Sequence, residues 1–417
     1  MALIFLKVFL YVIIPSLVVS DCSVRTENGV ILLKDFGFKK IYIKDVSEVT
    51  AKHNESIQFF CNGQIDITDT CRRSDITKLV YTAKLFCNLN TFQLIQNETI
   101  TLESYCDFRI SCSKINGLKL YESGQKLPNC DKYMSIGIGV SISEFKEVSG
   151  AICYDWANLS LKYVSYLTSN SDNNLNIFDK YQRTETLHTV TLDKLVDNYE
   201  LYFNFMSTQS FEAQLNDIKL RNSILDGVEF DYLNIADASK FSAHDNILNI
   251  VWWKNLRYGN WRRYLEILKQ RAKSVQYLVY LGTAGIITIP NENYIQNQTL
   301  LNAPEYIWSY LISTNPNQTS EELVIVGYNS PFAKLNAENS PIFCQDICDE
   351  VSWLNLTTFR DLRLIASQGV TFCCRPEEVY KKFDSFPMTA NRQISSTTTH
   401  MPMYTYIEDS DLNNVLE

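Results

Sequence analysis

The sequence predicts an α+β protein: a small, disulfide-stapled β domain followed by a longer domain of antiparallel sheet and helices. Three observations carry this. Eight cysteines fall between residues 22 and 153, none between 154 and 343, and four between 344 and 374. Residues 30–120 alternate apolar and polar side chains over short runs, the period of strands with one buried face. Only two windows, 208–222 and 260–273, read as helices.

Composition sets the outer bounds. With 417 residues, 46% hydrophobic and 20% charged side chains, 14 Gly and 10 Pro, the chain is ordinary globular material rather than fibrous, collagen-like or wholly disordered. Its length suits two or three domains, and its net charge of −9 excludes binding of polyanions by bulk charge. Any nucleic-acid contact must come from a local patch.

Residues 1–20, MALIFLKVFLYVIIPSLVVS, carry one charge, Lys7, before an apolar run that ends with Val18 and Ser20 at the small-residue positions of a cleavage site. This is expected to be a signal peptide, the run being at the short limit for crossing a bilayer. The mature protein is then secreted and extracellular, with no membrane attachment after cleavage. Twelve cysteines, an even number, lie beyond it: Cys22, Cys61, Cys71, Cys87, Cys106, Cys112, Cys130, Cys153, Cys344, Cys348, Cys373 and Cys374. In an oxidising compartment these pair. Zinc is the competing use of the last four, but their spacing and the lack of any His between Cys344 and Cys374 argue against it. Sequons at Asn54, Asn97, Asn158, Asn297, Asn317 and Asn355 predict glycan-bearing surface.

Taken in order, residues 21–130 form the Cys-rich β domain, with strands such as Ile41-Tyr-Ile-Lys44 and Ser56-Ile-Gln-Phe-Phe-Cys61 and turns expected at the Asn-Gly pairs 28–29, 62–63 and 116–117. Residues 131–390 form the larger domain. Its strand-like runs are Tyr133–Ile142, Val275–Tyr280, Ile286–Ile289 and Leu323–Tyr328, and a polar break interrupts it at 168–175. The Ser/Thr-rich and acidic end, 391–417, lacks a core pattern and is expected to be a disordered tail.

The window 251–273, VWWKNLRYGNWRRYLEILKQRAK, is the chain's basic patch. Seven cations, Lys254, Arg257, Arg262, Arg263, Lys269, Arg271 and Lys273, stand against one acid, Glu266. Trp252, Trp253, Tyr258, Trp261 and Tyr264 are interleaved with them. Cations neutralise phosphates and release counterions, and flat rings stack on unpaired bases, so this window predicts a nucleic-acid surface. Trp261, Leu265 and Leu268, at helical spacing, are also the expected buried stripe of an amphipathic helix whose Arg and Lys face water.

The segments Phe230-Asp-Tyr-Leu-Asn-Ile-Ala-Asp-Ala-Ser-Lys-Phe241, Asn249-Ile-Val251 and Gly259-Asn-Trp-Arg-Arg-Tyr264 resemble, in order and spacing, the core of the DNA/RNA non-specific endonucleases of the secreted insect branch. Pro304-Glu-Tyr-Ile-Trp308, Ile342–Leu354 and Gly369-Val-Thr-Phe-Cys-Cys-Arg375 are similar to that branch's C-terminal blocks. The resemblance covers about residues 130–385. It implies a ββα-metal nuclease-like core, an antiparallel sheet with a helix across the active site. It also implies a chemistry in which a histidine after an Asp-Arg-Gly motif deprotonates water, an Asn carries a hydrated divalent cation, and Arg and Glu support the site.

Matched residue by residue, that motif falls on Asp231, Tyr232, Leu233 and Asn234, the metal Asn on Arg257 and the Glu on Leu265. An amide accepts no proton near neutral pH, so the resemblance implies that the general base is lost. No catalytic residue, metal or other cofactor is then expected. Two substitutes are weighed: Glu266 or Asn255 drawn into the site by a local insertion, and His244-Asp245 as an alternative base. The four histidines, His53, His188, His244 and His400, read as loop or surface residues, and the carboxylates Asp226, Glu229, Asp231 and Asp237 as a solvated loop rather than an Mg²⁺ site.

The leading expectation is a secreted protein that binds DNA or RNA through backbone phosphates with little or no cleavage, similar to the tsetse salivary proteins that carry a degenerate domain of this kind. Its expected contacts are Lys254, Arg257, Arg262, Arg263, Lys269, Trp252 and Trp253. The alternatives are an active Mg²⁺-dependent endonuclease, and a glycoprotein acting through protein–protein contacts.

Overall fold

The computed structural model of the chain describes residues 21–27, 30–35, 40–44, 48–69, 74–88, 91–95, 100–102, 108–113, 117–142, 145–168, 190–196, 207–221, 227–236, 241, 244–289, 301–314, 321–335, 340–355 and 357–388. The segments 1–20 and 391–417, expected to be a signal peptide and a tail, and Cys71, Cys106, Asp226, Asp237, His188, His400 and the sequons at Asn97, Asn297 and Asn317 lie outside them. No described helix is long and apolar enough to cross a membrane. Mixed α+β character is observed, with strands predominating.

Alternating sequence becomes strand from the first described residues. Cys22–Thr26 (β1), Ile31–Asp35 (β2), Lys40–Lys44 (β3), Glu48–Ala51 (β4), Ser56–Asp69 (β5), Ser74–Asn88 (β6), Thr91–Ile95 (β7), Ile100–Leu102 (β8) and Phe108–Cys112 (β9) form one sheet. Its spine runs β4-β1-β9-β5-β6-β7-β8, with the β2–β3 hairpin added on β5. In β1 the pattern Cys-Ser-Val-Arg-Thr buries every second residue, as period-2 amphipathicity requires.

One expected turn is absent. Asn62-Gly63 lies inside β5, where the pairing with β6 shifts register between Phe60 and Gln64. The bulge is stitched to the end of β9 instead of reversing the chain. The Gln64 amide donates to Ser113 Oγ at 2.8 Å, the Ser113 amide donates to the Gln64 carbonyl at 2.9 Å, and Cys61 is bonded to Cys112. Backbone polar groups that a hairpin turn would have handled are thereby satisfied within the sheet. A second bridge, Cys22–Cys87, closes 65 residues. Loops of that size are worth about 4 kcal/mol in the chain-entropy account of disulfides.

The second sheet begins earlier than the cysteine spacing indicates. Lys119–Glu122 (β10) already pairs with Met134–Ile142 (β11), and Cys130 is bonded to Cys153 within this second unit. The change of sheet therefore falls between residues 112 and 119. Phe145–Asp155 (β12), Ser160–Leu167 (β13), Lys194–Leu195 (β14), Tyr277–Ala284 (β17), Tyr306–Ser313 (β20), Glu322–Tyr328 (β21) and Thr371–Cys374 (β22) complete it. The order is β14-β10-β11-β12-β13-β17-β20-β21-β22, antiparallel throughout. Between β14 and β17 the chain leaves the sheet to make Phe230–Asn234 (β15) and Asn249–Trp253 (β16), a separate two-stranded ribbon. Ile287–Ile289 (β18) and Leu301–Ala303 (β19) form another.

The helices cover the faces. Thr208–Arg221 (α1) buries Phe211, Leu215 and Ile218, three residues spaced by four and three, in one apolar cluster with the ribbon and with the inner faces of β11–β13 and β17–β21. A short turn, Asp245–Leu248 (α2), leads into β16. Lys254–Tyr258 (α3) and Asn260–Arg271 (α4) follow it directly. On the other face, Tyr306, Trp308, Phe343, Phe372, Phe383 and Phe386 form an aromatic layer under Pro376–Lys382 (α6), whereas Thr357–Leu362 (α5) lies beside α4 and buries Phe359 in the first cluster. Cys344–Cys374 and Cys348–Cys373 pin the segment before α5 to β22, so the expected C-terminal pairing is a pair of disulfides. Asp346, Cys348 and Cys373 lie close together, but the two sulfurs are bonded to each other and supply no thiolate to a metal.

Candidate nucleic-acid interface

The basic window folds as strand, short helix and longer helix in succession. β16 pairs with β15 in the register Asp231↔Trp252 and Asn234↔Asn249, and α3 starts at the next residue after β16. Asn329, wholly buried, fixes this start. Its Oδ1 accepts from the Trp253 amide at 2.7 Å, and its Nδ2 donates to the Val251 and Pro304 carbonyls at 2.9 and 3.0 Å.

Gly259 separates α3 from α4, and its lack of a side chain is a steric necessity. A Cβ there would lie 2.2 Å from the Asn255 carbonyl oxygen and 2.4 Å from that of Gln368. On the facing turn Gly369 has φ +84°, and a Cβ would meet Leu256 at 2.5 Å. These two glycines let the helix junction close against the 366–369 turn. Asn260 then locks the contact, its Nδ2 donating to the Leu362 carbonyl at 2.8 Å and the Gly369 carbonyl at 2.6 Å.

The expected stripe on α4 is observed. Trp261 and Leu268 are buried, joined by Tyr264 and Ile267, while Leu265 is half-buried at the edge of the same core. Tyr264 Oη donates to Ser309 Oγ at 2.6 Å, tying the helix to β20. The opposite face carries Arg262, Glu266 and Lys269, all exposed.

The cations of the window are not equivalent. Lys254 lies between Glu229, at 2.8 Å, and Asp231, at 3.4 Å. The hydrogen bond to Glu229 raises the Lys254 pKa and lowers that of Glu229, so both remain charged and mutually committed near neutral pH. Arg262 pairs with Glu266 at 2.9 Å one turn on, and Arg271 with Glu321 and the Tyr277 hydroxyl. Arg257 lies over the Trp252 ring, 4.8 Å from its centroid. Arg263 is held by neutral oxygens, Asn260 Oδ1 at 3.0 Å and Gln368 Oε1 at 3.3 Å, and no described carboxylate pairs with it. Lys269 is exposed and has no acidic partner among the described residues. Arg263 is thus oriented by amides that leave its charge uncompensated.

Trp252 and Trp253, expected to stack on bases, are 0% and 4% exposed. Both faces of β16 are covered, four consecutive residues from Ile250 to Trp253 being buried, and this turns both rings into core. Their contribution is packing, including the Trp252–Trp261 contact at 5.8 Å. Indole interleaved with arginine does not distinguish a stacking surface from an apolar ridge, and burial decides it.

The positions matched to the endonuclease motif are equally occupied by structure. Asn234, 5% exposed, donates from Nδ2 to Asp245 Oδ1 at 2.8 Å and accepts the Ala236 amide at Oδ1, also at 2.8 Å. Tyr232 stacks on Phe211 at 5.6 Å, and burial pushes its phenol up to about 12. Asp231 faces Lys254. None of the weighed substitutes comes forward. Glu266 is on the outer face of α4 with Arg262, and the Asn255 side chain donates to the Ser367 carbonyl. His244, expected on a loop or surface, is 6% exposed with Nε2 3.0 Å from the Leu118 carbonyl, because the turn into α2 packs against β15 and β13. Asn260, Asn329 and Gln368, which position the helix and Arg263, carried no sequence signal: an amide declares its role only once distant carbonyls are in place.

No family model matches the chain. The sequence is similar to a salivary endonuclease of Lutzomyia longipalpis, with 23% identity over 348 residues that span 80% of this chain and 74% of that protein.

Proposed function

We propose that the chain is a secreted protein that grips DNA or RNA by its phosphates, on a scaffold of the non-specific endonuclease kind whose cutting residues have been replaced. Likeness to a salivary endonuclease over four-fifths of the chain supports both the scaffold and the extracellular setting. The succession of β15, β16 and α4 is compatible with a ββα core. One observation carries the loss of chemistry. Asn234, in the place of the proton-accepting histidine, has both ends of its amide engaged by Asp245 and the Ala236 backbone, and has no basic lone pair to offer water.

A divalent cation does not fit the residues present. The matched metal position holds the Arg257 guanidinium, the supporting acid is Leu265, and the nearby carboxylates Glu229 and Asp231 share the Lys254 ammonium, which already occupies the place between them. No hydrolytic step is therefore derived. What remains is a cationic rim in which Arg263 and Lys269 have no acidic partner among the described residues, Arg257 lies over Trp252, and Lys254 and Arg262 are available only where phosphate displaces their acids. Binding of this kind tolerates any sequence, weakens with salt and needs no metal.

The test is a plasmid assay with Mg²⁺ beside a gel-shift titration. Retention without nicking, abolished in the combined K254Q, R257Q, R262Q and R263Q variant, is the expected result. Efficient nicking by the native chain assigns it to active endonucleases, and retention that survives the fourfold substitution removes the basic window from the account.

A further inference from the structure

Of the five aromatic residues threaded through the basic window, four are core: Trp252, Trp253, Trp261 and Tyr264 are each no more than 4% exposed. Tyr258 is 53% exposed. It is the last residue of α3, immediately before the Gly259 break, so its ring projects where the chain turns rather than into the packed face of α4. Arg257 and Lys254 both act electrostatically on its hydroxyl, which also faces Asp231. Partial burial and the Asp231 charge raise the phenol above its ordinary pKa, so the ring carries no charge that would repel a phosphate at physiological pH. One turn further on stand Arg262 and the amide-held Arg263.

A flat, neutral, solvent-facing ring whose hydroxyl is hydrogen-bonded to Asp231 with Lys254 and Arg257 close by has a narrow use. In a duplex every base face is already covered by its neighbours, and only base edges reach the grooves. An unpaired base has an open face that a phenol ring covers without regard to sequence. The neighbouring Lys254 and Arg257 can hold the flanking phosphates. We infer that Tyr258 is the stacking platform of this surface and that the protein selects single-stranded over double-stranded nucleic acid. The inference rests on the nucleic-acid reading above and adds the ligand class and the residue that sets it.

The experiment is fluorescence anisotropy of a labelled mixed-sequence 20-mer, alone and annealed to its complement, in EDTA at fixed low salt, with the native full-length protein, Tyr258→Ala, Tyr258→Phe and Tyr258→Trp. The native chain is expected to bind the single strand more tightly. Tyr258→Ala should weaken single-strand binding by about 5- to 150-fold, the range alanine substitution gives for one stacked base, while duplex binding changes less than twofold. Both aromatic variants should retain the preference, since the ring and not the hydroxyl supplies it. Equal affinity of the native chain for the two forms, an unaffected Tyr258→Ala single-strand isotherm, or parallel loss on both forms each overturns the stacking role while leaving phosphate binding intact. Failure of the native chain to bind either form overturns the nucleic-acid reading itself.

Discussion

Replacing Arg263 and Lys269 together by Gln separates the cations that are available from those that are spent. Among the five basic side chains of the proposed rim, Lys254 is shared by two carboxylates and Arg262 is paired one turn along the helix. Arg263 is oriented only by the Asn260 and Gln368 amides, and Lys269 stands exposed. Each phosphate neutralised contributes about −0.9 to the slope of log K against log salt on duplex and about −0.7 on a single strand. Removing these two cations should flatten the slope by about 1.4–1.8, so that the affinity lost between about 50 and 200 mM salt shrinks by about 7- to 12-fold. The control is Lys254→Gln with Arg262→Gln, which frees Glu229, Asp231 and Glu266 and should flatten the slope by less than half as much. Anisotropy titrations across a salt series read both numbers directly. An unchanged slope in the Arg263/Lys269 variant, or an equal change in the control, refutes the distinction between committed and uncommitted charge.

Three further outcomes are expected. Gly259→Ala forces a methyl into two carbonyl oxygens and should cost about 1–3 kcal/mol in denaturant unfolding while loosening the turn that presents Gln368 to Arg263, so binding falls with stability. Asn234→Ala strands Asp245 and the Ala236 amide and should destabilise by about 1–3 kcal/mol; Asn234→His should yield no plasmid nicking, because Arg257 and Leu265 still occupy the remaining positions. Asp155 is pushed up by burial but pulled further down by hydrogen bonds from the Asn158 side chain and backbone and by Lys162, leaving its pKa below 3.8. A depressed folded-state pKa stabilises the fold above the unfolded value and loses that contribution as pH falls through the folded one, so Asp155→Asn should lower stability at neutral pH and flatten its decline below about pH 4.

Local periodicity made much of the scaffold legible. The stripe of Trp261 and Leu268 located α4, the alternation around Ile41 and Ser56 located strands of the first sheet, and the strand-like run Tyr133–Ile142 located one of the second. Failures share one cause: a residue's role is set by partners far away in sequence. Asn62-Gly63 looks like a hairpin turn, but Ser113 and Cys112 capture it as a bulge. Trp252 and Trp253 look like stacking surface beside arginines, and only the packing of α1 and the main sheet shows them to be core. The sheet boundary near 112–119 was masked by Cys130, whose partner lies 23 residues onward. Charge pairing was not read from the sequence: Arg262 and Glu266 meet one helical turn apart, and the capture of Lys254 by Glu229 and Asp231 requires the ribbon.

Metal independence is the sharpest consequence of the proposal that a guanidinium stands where the family's hydrated cation would sit. Titrating a labelled single strand with the native protein in EDTA and in millimolar Mg²⁺ at matched ionic strength, then running the same samples on a denaturing gel, reads association and scission together. Superimposable isotherms with an intact strand are predicted. Binding that disappears in EDTA, or a strand cut to fragments in Mg²⁺, contradicts the account.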